Sequence, residues 1–109
     1  MKINILGTEY TIEYRSFRED KKLDTRDGYT SSFLKLIVIE NDFEGRTEFI
    51  EEYQKKILRH EIVHAFLNES GLDCNSLKAN SWAENEEMVD WFAIQSPKIF
   101  KIYKELDIL

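Results

Sequence analysis

The sequence has a single cysteine, Cys74, among its 109 residues. One cysteine excludes a disulfide within the chain. Scarcity of cysteine is also typical of proteins from a reducing compartment. We therefore expect a cytoplasmic protein that forms one domain over residues 1–109, a length sufficient for a single hydrophobic core.

The chain also lacks an excess of positive charge and lacks long apolar runs. It carries 15 Lys and Arg residues against 21 Asp and Glu residues, which gives a net charge of -6. Nucleic-acid binding needs a basic surface, so we expect no nucleic-acid partner. A membrane-spanning helix needs about 20 apolar residues, which no run approaches. The first seven residues become polar too early for a signal peptide, so we expect no membrane partner either.

Four glycines and one proline provide few strong turn signals. Alternating apolar residues on either side of Gly7 predict a hairpin over residues 2–15. Residues 16–27 are rich in charge and predict a solvated loop that ends at Gly28. Residues 33–40 are dense in β-branched side chains and predict a strand well inside a sheet or lining a cleft.

The longest predicted helix covers residues 48–70. Thr47 is a plausible N-cap, and the three glutamates of the next five residues suit the positive end of the helix dipole. Gly71 is the predicted C-terminal stop, with Leu72 folding back on the helix.

Two further helices are predicted near the C-terminus. Ser81 and Glu84 form an S-x-x-E capping box that predicts a helix over residues 82–95. Ser96-Pro97 then predicts the start of a third helix, with proline at its first position. Strands followed by helices indicate an α+β fold, with about three N-terminal strands packed on three C-terminal helices. Three aromatic residues are expected in the core, with a place in the walls of the cleft as the alternative: Trp82, Trp91 and Phe92.

The chain contains only two histidines, and both belong to the stretch His60-Glu61-Ile62-Val63-His64. On a helix, the form H-E-x-x-H places both imidazoles on one face, where they can share one ion. A shuffled chain would contain this pattern roughly once in 400 trials. Both histidines also fall on the apolar stripe, where a shared metal would offset the cost of burying them. We predict a zinc site in which Glu61 accepts a proton from water.

A catalytic zinc commonly has three protein ligands, so a third is expected on another element. Glu86 and Asp90 lie four residues apart on the predicted second helix, and Glu86 shares its inward-facing stripe with apolar residues. Glu87 is offset by about 100° and is expected to be solvated. The choice between Glu86 and Glu87 stays open. Cys74 is interpreted as a small apolar residue, with a role as a fourth ligand as the alternative.

The order H-E-x-x-H followed by N-E-x-x-x-D resembles the gluzincin pattern of the zincin metallopeptidases. The run E-E-M-V-D-W-F-A also resembles a helix of the ImmA/IrrE-type peptidases of phages and mobile elements. The resemblance covers residues 33–93. It implies a sheet edge above the active-site helix that holds an extended peptide. The resemblance implies that the zinc ligands are His60, His64 and Glu86. It also implies that Glu61 is the general base and that Asp90 orients the first histidine.

These features predict a zinc metallopeptidase whose partner is a protein or peptide substrate. Strand 33–40 is expected to pair with the substrate backbone. For stabilising an oxyanion, Tyr29 and Tyr103 are candidates by residue type alone, and a packing role is the one more expected of each. One alternative is a zinc-containing module of phage or prophage origin that grips a protein without cutting it, or cuts a single target. The other is a metal-free interaction protein with incidental histidines.

Overall fold

One mixed sheet forms the centre of the structure. The computed structural model describes residues 1–46, 48–73 and 81–109. The strands are β1 (Lys2–Ile5), β2 (Thr8–Arg15), β3 (Gly28–Ser31) and β4 (Leu36–Glu40). The sheet order is β1-β2-β4-β3; β2 and β4 are parallel, and the other two neighbouring pairs are antiparallel. The predicted α+β fold and the N-terminal hairpin are confirmed. Strand β3 is missing from the prediction, because four residues are too few to show a period of two.

Strand β4 lies inside the sheet, as its apolar sequence predicts. Ile37 and Ile39 belong to the apolar cluster on one face and Val38 to the cluster on the other, so both faces are buried. The strand begins later than predicted, because Lys35 adopts a left-handed φ of 53° just before it. Since β2 and β3 already pair with its two edges, the expectation that strand 33–40 pairs with a substrate is wrong. The outermost strand on this side of the sheet is β3.

Helix α1 (Ile50–Glu69) packs on the sheet through Ile57 and Ala65. Its predicted stop is confirmed: Gly71 has a φ of 80°, and the N–H of Leu72 donates to the Leu67 carbonyl at 3.1 Å. This back-folding satisfies a carbonyl that the helix end would otherwise leave free. The helix begins two residues later than predicted, after Phe49 in a left-handed conformation. The predicted N-cap, Thr47, lies outside the described residues, as does Cys74.

Helix α2 (Glu86–Glu105) is continuous where two helices are predicted. Pro97 has no N–H to donate to the carbonyl of Ala93, four residues earlier, and such a gap commonly ends a helix. Here Arg59 from α1 supplies the missing donor, because its Nε lies 2.6 Å from the Ala93 carbonyl oxygen. The predicted boundary at Ser96-Pro97 is therefore wrong, since a side chain distant in sequence replaces the lost hydrogen bond.

The start of α2 also differs from the prediction. A short 3-10 helix (Trp82–Glu84) precedes it, and the cap is Asn85, whose side chain accepts a hydrogen bond from the Met88 N–H at 2.9 Å. The capping box of Ser81 and Glu84 is thus not the start of the α-helix. The described residues contain two α-helices rather than three.

The expected burial of three aromatic side chains is also wrong, because all three are exposed: Trp82, Trp91 and Phe92.

Strand β3 approaches α1 closely because Gly28 has no side chain. A Cβ atom at this position would lie 2.7 Å from Cγ2 of Ile57 and 3.4 Å from Cγ of Glu61. Any side chain at residue 28 would therefore push the strand away from the helix. The glycine brings an edge strand against the turn of α1 that contains the H-E-x-x-H motif.

Among the described residues, no helix is both long and apolar enough to cross a membrane.

Candidate metal centre

The two histidines of α1 face α2. They occupy consecutive turns of one helix face, and their side chains are only 15% and 10% exposed for His60 and His64. Their Nε2 atoms lie 3.2 Å apart. Two polar ring nitrogens brought this close in a nearly buried position need a common partner.

Glu86 reaches the histidines from the first turn of α2. One carboxylate oxygen lies 2.8 Å from Nε2 of His64, and the other lies 3.3 Å from Nε2 of His60. Their ligand atoms lie within 4.8 Å of one another, so His60, His64 and Glu86 form a group that could hold a metal ion. Glu87 is exposed and is not part of this group. The Asn85 cap fixes the helix start immediately before Glu86 and so helps to place its carboxylate.

The second nitrogen of each imidazole is already committed. Nδ1 of His60 lies 3.3 Å from the Asp90 carboxylate, and Nδ1 of His64 contacts the Ala83 carbonyl oxygen. A carboxylate and a carbonyl only accept hydrogen bonds, so each Nδ1 carries the proton. In neutral imidazoles, both Nε2 atoms then present lone pairs. Two lone pairs and a carboxylate converge with no hydrogen between them, which is an arrangement that a cation stabilises.

The separations fit a tetrahedral ion. Nitrogen and oxygen ligands bind zinc at about 2.0–2.2 Å, which places neighbouring ligand atoms roughly 3.3–3.6 Å apart. The two Nε2 atoms lie 3.2 Å apart and Oε2 of Glu86 lies 3.3 Å from Nε2 of His60, both close to this spacing. The 2.8 Å contact with His64 is made by the other oxygen of Glu86, Oε1. Glu86 is 71% exposed, so its carboxylate has room to adjust to a tetrahedral cation.

Asp90 lies behind His60, on the next turn of α2 after Glu86. Burial alone would raise the pKa of Asp90, but its ion pair with Lys56 and its bond to His60 outweigh burial and lower the pKa. The Nζ atom of Lys56 lies 3.2 Å from the same carboxylate oxygen that faces His60. Asp90 is therefore ionised at neutral pH and holds His60 with its Nε2 lone pair directed at the shared site.

We predict that Asp90→Ala weakens zinc binding by about 10- to 100-fold, the usual cost of removing the partner of a metal-binding histidine. Competition with a chromophoric chelator measures this change. Glu87→Ala is the matched control, because it removes one negative charge from the same helix without touching a histidine. Equal zinc affinities for the two variants would contradict the role of Asp90.

Glu61 is buried beside the histidines and contacts β3 through Thr30. The Oγ1 of Thr30 lies 2.8 Å from Oε1 of Glu61 and 3.0 Å from its backbone carbonyl oxygen. Burial is the main cause that raises the pKa of Glu61, while the Thr30 hydrogen bond and the two histidines oppose the rise. A carboxylate with a raised pKa holds a proton more readily than a solvated one. The structure thus places a basic group next to the metal-ligating cluster.

A cleft of about 460 Å³ opens between β3 and α1 at this point. Thr30 belongs to its strand side, and Glu61, His64 and Asn68 come from α1. Arg26 and Glu84 line it as well. Two members of the group that could hold a metal, His64 and Glu86, therefore share one cavity with the buried carboxylate of Glu61, and a ligand can enter it from solvent.

Neither tyrosine named from the sequence is free to act in this cleft. Tyr29 lines it, but its hydroxyl contacts the Asp20 carboxylate and accepts a hydrogen bond from Arg15. Tyr103 lies near the other end of α2, about 25 Å along the helix axis from Glu86. The packing role expected for Tyr29 is confirmed, because that side chain is buried, whereas Tyr103 is exposed and its expected packing role is not.

Sequence reasoning missed two side chains of the cleft. Thr30 lies on the short strand β3, where no motif marks it. Asn68 follows His64 by four residues, so it continues the stripe of His60 and His64, and this polar residue at the next turn was a signal that could have identified it.

Comparisons with protein-family models, with curated proteins and with solved structures find no match to this chain. The function is therefore argued from the site itself.

Proposed function

We propose that the protein is a zinc-dependent metallopeptidase. One observation supports this above all others: the Nε2 atoms of both histidines and the Glu86 carboxylate converge while each Nδ1 is committed to an acceptor. Two imidazoles and one carboxylate are a ligand set of catalytic zinc sites, which leave a further coordination position open. Bound there, zinc supplies Lewis-acid chemistry, since it lowers the pKa of water and polarises a carbonyl group.

Glu61 is the general base of the proposed reaction. Thr30 donates to Oε1, whereas Oε2 has no hydrogen bond to any described residue. Oε2 is therefore the atom that takes a proton from water and later gives it to the leaving amine. Burial keeps the pKa of Glu61 above that of a solvated glutamate, which favours the proton uptake. Thr30 orients the carboxylate and leaves its second oxygen toward the cleft.

A peptide is the substrate class that the surrounding fold favours. Strand β3 is the outermost strand beside the cleft, and its outer edge has no partner strand among the described residues. An extended peptide can add to such an edge through backbone hydrogen bonds. Because Gly28 allows β3 to lie against Glu61, a peptide paired there would pass directly over the proposed base. This edge replaces strand 33–40 in the role expected from the sequence.

Zinc content and thermal stability test the proposal. We expect about one zinc per chain by mass spectrometry of protein purified without chelators. Removing zinc and restoring it at about 1,000 times the dissociation constant should stabilise the fold by about 4 kcal/mol. Adding Mg²⁺ instead of zinc is the control. Mg²⁺ prefers oxygen ligands, so it should give no comparable rise in the free energy of unfolding. Absence of zinc, together with no stabilisation on its addition, would overturn the proposal.

A further inference from the structure

The cleft contains an unsatisfied polar side chain that the proposed mechanism does not use. Among the described residues, Oδ1 of Asn68 is the one buried side-chain oxygen or nitrogen without a hydrogen-bond partner. Asn68 follows His64 by one helical turn and lines the same cleft as Thr30 and Glu61. A buried acceptor without a donor is rare in folded proteins and calls for an explanation.

Neighbouring groups of the cleft do not supply the missing donor. The Thr30 hydroxyl hydrogen-bonds Glu61, and Nδ1 of His64 is directed at Ala83. Arg26 and Thr25 also line the cleft and carry donors, but neither is hydrogen-bonded to Asn68. Glu84 adds a second acceptor, its exposed carboxylate. A ligand that satisfies Asn68 must bring a donor, and an amide or cationic side chain has several N–H groups, enough for both acceptors.

We propose that Asn68 forms a substrate subsite for a side chain that carries an N–H donor, which means glutamine, asparagine, lysine or arginine next to the scissile bond. This inference rests on the proposed peptidase function. The side chain enters between Thr30 and Asn68 while the peptide backbone pairs with β3. Its N–H donates to Oδ1 of Asn68, which satisfies the buried acceptor only in the complex. Specificity of this kind is strong, because an apolar side chain leaves the acceptor unpaired.

The test uses a synthetic peptide library that is randomised at every position. Wild-type protein loaded with zinc digests the library, and mass spectrometry identifies the cleaved bonds. We expect N–H-bearing side chains to exceed leucine and methionine by about tenfold at one position beside the cleaved bond. Asn68→Leu, which has the same branched shape but methyl groups in place of the amide, should remove this preference and leave the other positions unchanged. Asn68→Asp should shift the preference toward lysine and arginine.

A binding measurement separates the subsite from catalysis. The same library is immobilised and probed with zinc-loaded Glu61→Gln and with the double variant Glu61→Gln/Asn68→Leu. The single variant should retain peptides with N–H-bearing side chains, and the double variant should not. The unfolding midpoint of Asn68→Leu should not fall below that of the wild type, since leucine removes an unsatisfied polar group. A lower midpoint would indicate a structural role and would overturn the inference.

The outcomes distinguish this inference from the proposed function. Peptide cleavage without a preference for N–H-bearing side chains overturns the proposed subsite but not the proposed peptidase function. A preference for lysine and arginine that persists in Asn68→Leu has the same meaning. The expected binding preference without cleavage by the wild type overturns the peptidase and supports the subsite. Neither cleavage nor selective binding overturns both.

Discussion

His64→Ala is expected to lower the affinity for zinc by about 100-fold or more. Structural zinc sites, which have four protein ligands, bind zinc with a free energy of about 10–16 kcal/mol. An even division among these ligands gives roughly 3 kcal/mol for each. His64 is the more buried of the two histidines and contacts Glu86 at 2.8 Å, so no other described side chain can take its place. Mass spectrometry of the purified variant and chelator competition measure the loss.

Glu86→Ala and Glu87→Ala form the matched pair for this prediction. The two glutamates are neighbours in the first turn of α2, are both exposed, and differ in that Glu86 joins the histidines. We expect Glu86→Ala to lose zinc and Glu87→Ala to retain it. Full zinc content in His64→Ala, or equal losses in the two glutamate variants, would contradict the three-residue site.

Glu61→Gln is expected to lower the rate of peptide hydrolysis by about 10²- to 10⁴-fold while it retains zinc. Glutamine keeps the size of the side chain and an oxygen that can accept from Thr30, but it cannot take a proton from water. The fold should tolerate the change, because burial already opposes the charged form of Glu61. Cleavage of a peptide library, measured beside zinc content, tests both halves of the prediction.

Glu61→Asp serves as the comparison, since it keeps a basic carboxylate but withdraws it by one methylene group. We expect residual hydrolysis above that of the glutamine variant. If Glu61→Gln hydrolysed peptides at the wild-type rate with zinc bound, another group would have to be the base.

Local sequence signals predicted those parts of the structure that local chemistry determines. Gly71 ends α1 because a left-handed residue there costs little, and the hairpin turns at Gly7 for the same reason. The buried strand 36–40 is recognisable because both of its faces are apolar. The convergence of Glu86 with the histidines follows from positions that share a helical stripe, and the same stripe placed Glu87 toward solvent, where the structure has it.

Long-range contacts account for what the sequence did not reveal. Pro97 predicts a helix boundary, and only the arrival of Arg59 from α1 explains why α2 continues. Strand β3 is too short for a pattern and becomes important because Gly28 lets it lie against α1. Asn68 is an ordinary polar residue of a helix until the fold places its oxygen in a cleft without a donor.

The continuity of α2 links the proposed metal ligand to the far end of the same helix. Glu86 lies about 10 Å along the helix axis from Ala93, where Arg59 contacts the backbone, and the helix continues about 18 Å beyond Ala93 to Glu105. Residues 101–109 at that end are all exposed. A tilt of α2 by about 5° around Ala93 would displace Glu86 by about 1 Å, roughly half the length of a zinc–oxygen bond. A partner that bound the exposed end and tilted the helix would therefore change the geometry of the site.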